Sequence, residues 1–305
     1  MTKAETEPTR LPCAPVLDEE ELQRKYSALQ ARLRELGSVL VAFSGGVDSS
    51  FLLATAVDVL GDQAAAATSC SETYPEEELR QSQELIRQLG AKQLVLRTAE
   101  IEIPNFASNP VDRCYYCKKE LLQALRKLAD EHGLAHVIYG ANADDMGDHR
   151  PGHRAAAELG VRAPLMEVGL TKAEIRELSR RRGLPTWGKP SMACLASRFP
   201  YGEDITIEKL KMVAEAERFL RSLGLRQLRV RHHDDRLARI EVEPADVPRL
   251  ASPELSRRIV ERLKQLGYLY VSLDLEGFRS GSMNEPLRRA GSTAGPPPAR
   301  GPQSA

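Results

Sequence analysis

Val39-Leu40-Val41-Ala42-Phe43-Ser44-Gly45-Gly46-Val47-Asp48-Ser49-Ser50 begins as an apolar, β-branched run, passes through Ser-Gly-Gly, and continues into Phe51-Leu52-Leu53. Such a string reads as a buried parallel strand feeding a tight glycine turn and then a helix. Gly45 and Gly46 let the backbone approach an anion with no Cβ in the way. Ser49 and Ser50 fall at the N-terminus of the new helix, where free N–H groups and the helix dipole favour phosphate. An aspartate beside that nest is costly without a cation, so Asp48 implies Mg²⁺ arriving with a nucleotide. The P-loop of kinases and GTPases is excluded, because no Gly-Lys-Ser/Thr follows.

Outward from this stretch the chain alternates strands and helices. Leu22, Tyr26, Leu29, Leu33 and Leu36 form one stripe of a preceding helix over 17–36. Further strands are predicted at Ala64–Thr68, Leu94–Leu96 and Val137–Tyr139, the last running into Gly140-Ala141-Asn142-Ala143-Asp144-Asp145. This spacing gives an α/β, Rossmann-like domain built on a parallel sheet. Ligands then lie beyond the carboxyl ends of the strands, where the Ser-Gly-Gly turn, Ser69–Ser71 and Gly140–Asp145 all fall. Thr171-Lys172-Ala173-Glu174 is a capping box opening a helix. Lys189–Gly202, proline-bearing at both ends and too apolar for a linker, reads as an ordered functional loop. From about Ile205 the order becomes helix, strand, strand, helix, strand, with strands at Gln227–His232, Leu237–Glu243 and Tyr268–Leu275, a smaller α+β C-terminal domain. The predicted division is a mobile arm over 1–17, the nucleotide domain over 18–204, the α+β domain over 205–285, and a Pro- and Gly-rich disordered tail over 286–305.

The composition narrows the functional classes. Lys and Arg number 43, as do Asp and Glu, so no global field draws nucleic acid or membrane. No apolar run approaches a membrane span, and the polar start is no signal peptide, so the expected compartment is the cytoplasm. Five cysteines, an odd number, argue for thiols or metal ligands rather than a disulfide framework. Cys114 and Cys117 form a single C-x-x-C, which alone is open among redox pair, half a zinc site, iron–sulfur ligation and no role. Cys194 adds a third thiol, whereas Cys70 and Cys13 stand apart. Arg229 and Arg231 share one face of a strand by the period of two, an arrangement suited to phosphate or carboxylate. The plainer reading is that they pair with Asp234, Asp235, Glu241 and Glu243. Trp187, the lone tryptophan, reads as packing.

Several of these motifs occur together in one order. They are Ser44–Ser50, Asp112-Arg113-Cys114-Tyr115-Tyr116-Cys117-Lys118-Lys119, Arg150-Pro151-Gly152, Ala193–Gly202, Arg229-Val230-Arg231 and Leu273–Gly281. The set resembles the LarE family of ATP-dependent sulfur transferases, within the PP-loop ATP pyrophosphatases (adenine nucleotide alpha-hydrolase-like), over roughly residues 18–285. That family adenylates a carboxylate of pyridinium-3,5-biscarboxylic acid mononucleotide, releasing pyrophosphate, and converts it to a thiocarboxylate for the nickel-pincer nucleotide of lactate racemase. The resemblance implies ATP on Ala42, Phe43, Ser44, Gly45, Gly46, Asp48, Ser49, Ser50, Ser69 and Gly140, with Mg²⁺ on Asp48. It implies sulfur handling at Cys194, Ser197 and Arg198 beside it, and the substrate phosphate on Arg229 and Arg231, with Glu217 lining the same pocket. Members with one loop cysteine give up its own sulfur. Cys114 and Cys117 set this chain beside three-cysteine members that hold a [4Fe–4S] cluster, so Cys114, Cys117 and Cys194 are the implied iron ligands. The partners expected are the small pyridinium mononucleotide and further copies of the chain as a homo-oligomer, with no nucleic acid or membrane; the sulfur donor is left open. The competing classes are a PP-loop enzyme that thiolates or amidates tRNA, which the neutral charge disfavours, and a nucleotide-binding scaffold without turnover, which Asp48 and the thiols disfavour.

Overall fold

A computed structural model of the chain describes residues 17–71, 76–103, 105–147, 151–190, 193–233, 236–279 and 281–287. The predicted arm and tail lie outside these residues, apart from Leu17, Pro286 and Leu287, and so does Cys13.

The first element, α1 (Glu19–Leu36), starts at Asp18, whose carboxylate accepts from the backbone N–H groups of Glu20 and Glu21. The predicted leucine stripe is its buried face. β1 (Val39–Ala42) follows, then α2 (Val47–Leu60), β2 (Ala64–Cys70), α3 (Glu76–Gln88), β3 (Lys92–Arg97), α4 (Arg113–Glu131) and β4 (His136–Tyr139). The four strands form a parallel sheet in the order β3-β2-β1-β4. Val39, Leu40 and Val41 have no exposed surface, because helices cover both faces of the sheet. The direction of winding reverses between β1 and β4, so the crevice beyond their carboxyl ends is where such a sheet binds a ligand.

Two short helices, α5 (Pro151–Glu158) and α6 (Pro164–Glu167), precede α7 (Lys172–Arg181). The capping box at the start of α7 is complete, with Thr171 and Glu174 each accepting from the other's backbone N–H. The C-terminal part holds α8 (Ile207–Ser222), β5 (Leu228–His233), β6 (Leu237–Val242), α9 (Val247–Leu250), α10 (Pro253–Gln265) and β7 (Tyr270–Leu273). β5 and β6 are antiparallel, β6 and β7 parallel, and α8 and α10 pack on this second sheet.

The structure moves some predicted boundaries. β2 continues two residues past Thr68, because Ser69 and Cys70 pair with Leu96 and Arg97 of β3. β7 is shorter than Tyr268–Leu275, since pairing with β6 ends at Leu273 and Asp274 begins a turn. α5 and α6 escape a periodicity reading because they are too short to develop a stripe.

A further apolar cluster explains why Lys189–Gly202 is apolar. Leu195, Ala196 and Phe199 are buried against Phe106, Ile205, Leu210 and Val213. Burying side chains such as Leu195 and Phe199 contributes on the order of 1.5–3 kcal/mol each. The loop is therefore anchored on the residue just after Cys194.

Candidate active site

Gly45 takes φ +66°, a conformation only glycine adopts without strain, and this swings the chain from β1 into α2. The Ser49 hydroxyl, beneath the turn, accepts from the Ser44 N–H at 3.3 Å and donates to the Gly46 carbonyl at 3.2 Å. The Ser44 and Ser49 hydroxyls lie 3.1 Å apart. The turn is thus braced from inside, with the Ser44 N–H spent on that brace. Gly46 is the N-cap of α2 and supplies no side-chain cap, so the first-turn donors of that helix have no internal acceptor from the cap.

In front of the turn is a cavity of about 370 Å³. Of the residues that the resemblance implies for ATP, Ala42, Phe43, Ser44, Gly45, Gly46, Asp48 and Ser69 line it. Ser49, Ser50 and Gly140 are not on its wall. Ser50 is fully buried, and its Oγ has no hydrogen-bond partner among the described residues. Gly140 acts by what it lacks: a Cβ there would lie 2.8 Å from the Ser49 nitrogen and 3.1 Å from the Asp48 carbonyl carbon. It is the residue that lets the end of β4 press against the start of α2.

Two lysines that sequence reading missed also enter the cavity. Lys172, at the start of α7, donates to Asp48 Oδ2 at 2.5 Å. Lys189 donates from Nζ to the Gly45 carbonyl at 3.2 Å. Burial pushes the Asp48 carboxyl above its ordinary range, against the charge and hydrogen bond of Lys172. Asp48 Oδ1 is buried without a hydrogen-bond partner among the described residues. That orphaned oxygen fits a cation, and Mg²⁺ that reaches a protein with phosphates needs only one or two carboxylates.

Cys117 and Cys194 line the same cavity as the nucleotide loop. Burial pushes the Cys117 thiol well up, and the charges of Glu100, Cys194 and Cys114 add to the effect. Cys114 lies one turn before it on α4 and is exposed. Arg113 ties the two cysteine segments together. Its guanidinium donates to the Ala196 carbonyl at 2.9 Å and to Asn109 Oδ1, and its Nη2 lies 3.8 Å from Cys114 Sγ. Asn109 in turn donates to the Phe199 and Pro200 carbonyls. Among the described residues no three His, Cys, Asp or Glu side chains are already gathered as a metal site.

The arginines form a second polar centre behind Cys194. Arg198 is fully buried and makes a two-pronged pair with Glu217 of α8, at 2.7 and 2.9 Å. Its remaining N–H groups reach the Ala193 and Cys194 carbonyls and the Ser197 hydroxyl. Burial alone would raise Glu217, but Arg198, Arg221 and Arg229 hold it below the ordinary carboxylate range. Arg231 donates to Glu241, Ser282 and the Ser197 carbonyl. Pairing with Glu241 is the plainer reading of the strand, realised for Arg231. Arg229 sits over the Phe278 ring and is pulled down to about 10, first by burial and then by the charge of Arg198. None of Ser197, Arg198, Glu217, Arg229 or Arg231 is on the wall of the nucleotide cavity; they stand behind the Cys194 loop.

The Asparagine synthase family profile matches residues 23–144, the part that carries the nucleotide loop and sheet. The pyridinium-3,5-bisthiocarboxylic acid mononucleotide synthase of Lactiplantibacillus plantarum is 38% identical over 270 residues, covering 88% of this chain and 97% of that protein. The chain belongs to the LarE family. As a LarE protein it is an ATP-dependent sulfur-transferring enzyme with a PP-loop domain. An uncharacterized protein of Synechocystis is also similar, 44% identical over 88% of this chain and all of that protein. A glutamine-hydrolyzing GMP synthase chain of Archaeoglobus fulgidus, 22% identical over 66% of this chain and 70% of that protein, is a more distant likeness. Among the described residues no helix is long and apolar enough to cross a membrane.

Proposed function

We propose that this LarE protein adenylates a carboxylate of pyridinium-3,5-biscarboxylic acid mononucleotide and replaces the activated oxygen with sulfur. The observation that carries this is a single cavity bounded by the PP-loop on one side and by Cys117 and Cys194 on the other. A carboxylate repels nucleophiles; joining it to AMP removes its charge and supplies a leaving group. The carboxylate oxygen attacks the α-phosphorus of ATP, the bond to the β-phosphate oxygen breaks, and pyrophosphate leaves. The turn N–H groups, Lys172 and Lys189 take the charge that builds on the departing phosphates. Mg²⁺ held by Asp48 supplies further charge neutralisation when bound. A sulfur nucleophile then attacks the acyl carbon and AMP departs.

Arg229 and Arg231 are the proposed seat of the substrate phosphate. Arg198, Arg221, Arg229 and Arg231 gather around the two carboxylates Glu217 and Glu241, leaving more guanidinium groups than carboxylates in this set. A phosphate dianion offsets that excess. The division of the chain into nucleotide and substrate parts near residue 205, and assembly into a homo-oligomer, belong to the same reading.

Cys114, Cys117 and Cys194 are the proposed ligands of a [4Fe–4S] cluster, supported by the Arg113 brace and by the shared wall of Cys117 and Cys194. These three thiolates would hold the cluster one protein ligand short of four, and when bound it would supply sulfide for transfer. Burial raises the Cys117 thiol, and a cysteine binds metal as the thiolate, so metal loading would be coupled to proton release. The alternative is that Cys194 gives up its own sulfur. Strictly anaerobic iron–sulfur reconstitution separates them: the proposal expects brown protein with iron and sulfide that any one of the three Cys→Ala changes abolishes. Colourless, iron-free protein that turns over once and loses the mass of H₂S at Cys194 would establish the sacrificial route. Pyrophosphate release stimulated by tRNA and not by the pyridinium nucleotide would overturn the substrate assignment.

A further inference from the structure

Gly45 of the Ser-Gly-Gly turn also lines a second hollow. A broad cleft of about 1160 Å³ runs between α3, residues 185–190 and the end of α8. Gly45, Lys189 and Pro190 line both this cleft and the nucleotide cavity, so the two adjoin. We propose that the cleft binds inorganic pyrophosphate and is the path by which that product leaves the PP-loop. This rests on the adenylation reading above.

The charge of the cleft is lopsided in a chain that is neutral overall. Among the described residues Arg80, Arg176, Lys189, Arg221 and Arg226 line it, with Glu84 as the acidic member of that lining. Glu84 is itself held by Arg87 at 2.6 and 2.9 Å, and Arg221 is partly offset by Glu217 at 3.1 Å. The wall thus carries more guanidinium forks than carboxylates, and such forks match phosphate oxygens. A second, independent observation is Thr186. It is 8% exposed, it lines the cleft, and its Oγ1 is buried with no hydrogen-bond partner among the described residues. A buried hydroxyl in that state is costly unless a ligand or water completes it.

The reaction needs such a path. Pyrophosphate must leave before it can reverse the adenylation, yet the adenylate must stay where the thiols can reach it. The cavity side is taken by the adenylate, Cys117 and Cys194. Cys117 and Cys194 are not on the wall of the cleft, and the residues the two hollows share include Gly45 and Lys189, which donates to the Gly45 carbonyl. Arg176 fixes this partition by donating to the Trp187 and Lys189 carbonyls at 2.7 and 2.9 Å.

Trp187, a packing residue by expectation from sequence, is 47% exposed on the wall of the cleft and is the single tryptophan of the chain. Its emission therefore reports on this site alone. The full chain, saturated with a non-hydrolysable ATP analogue, is titrated with inorganic pyrophosphate while Trp187 fluorescence is followed. A saturable change that persists with the analogue bound is expected. Arg226→Glu should raise the apparent Kd by about tenfold or more, and Arg226→Lys by much less, with thermal melts showing both variants folded. The inference is overturned if there is no saturable change, if the analogue abolishes it, or if sulfate or AMP at equal ionic strength reproduces it. Acceptor-dependent AMP formation by the wild type is measured in parallel. If AMP forms but pyrophosphate does not bind, only the cleft inference falls; if no AMP forms, the adenylation reading falls and the cleft inference with it.

Discussion

Asp48 is half of a part-buried ion pair whose other half, Lys172, lies 124 residues away. Removing its carboxylate deletes the only acidic group of the first turn of α2 and the orphaned Oδ1 offered to a cation. Asp48→Ala should therefore abolish acceptor-dependent AMP formation, with a far-UV spectrum like that of the wild type; wild-type rates would contradict the PP-loop role. Arg231→Ala tests the phosphate seat. Loss of a charge-assisted contact should weaken the pyridinium nucleotide by about 1.5–3 kcal/mol, with ATP affinity little changed, both read by calorimetry. Equal weakening of both ligands would leave Arg231 as a partner of Glu241 and Ser197 only. The serines, glycines and aspartate of the turn were legible because each has a local reason to be there. Lys172 and Lys189 were not, since a lysine on an exposed-looking helix start or loop gives no sign of which distant carboxylate or carbonyl it reaches.

Among elements, the contact between the end of β4 and the start of α2 shapes the nucleotide turn. Gly140→Ala would push a Cβ into the backbone at Asp48 and Ser49, so the turn must shift. The expected outcome is loss of ATP affinity together with a lower Tm, at a cost of about 1–3 kcal/mol. An unchanged Tm and affinity would show that β4 can retreat. The Cys194 loop hangs on α8 through Arg198 and Glu217. Glu217→Gln leaves the Arg198 charge buried and under-compensated, which should cost about 3–5 kcal/mol in denaturant unfolding. The sign with pH follows from Glu217 being held below its ordinary 4.5. Its contribution is full above the unfolded-state value and is lost as the pH falls below 4.5 toward the lowered folded-state value. Wild-type stability should decline in that window more steeply than that of Glu217→Gln; parallel curves would mean that the pair is not ionised. The strand–helix alternation and the capping box were readable from period and local chemistry. The brace of Arg113 across to Ala196 was not, because it joins segments 83 residues apart by side chain to carbonyl, and no sequence period encodes that.

At the scale of the whole molecule, the parallel sheet places the PP-loop at the crevice beyond β1 and β4, the proposed seat of ATP, and the apolar anchor after Cys194 brings a thiol to the same cavity. The second sheet supplies Arg229 and Arg231 behind it. Neither half alone joins activation to sulfur delivery, so the central claim is that the two are coupled through Cys194. The direct measurement is the ratio of AMP to thiocarboxylate, with ATP, Mg²⁺, the pyridinium nucleotide and a sulfide source supplied anaerobically. Thiocarboxylate is identified by the mass gain of an oxygen-to-sulfur exchange. The wild type should form both products in equal amounts, and Cys194→Ala should still form AMP but no thiocarboxylate. Thiocarboxylate from Cys194→Ala at the wild-type rate, or none from the wild type while AMP accumulates, would contradict the account.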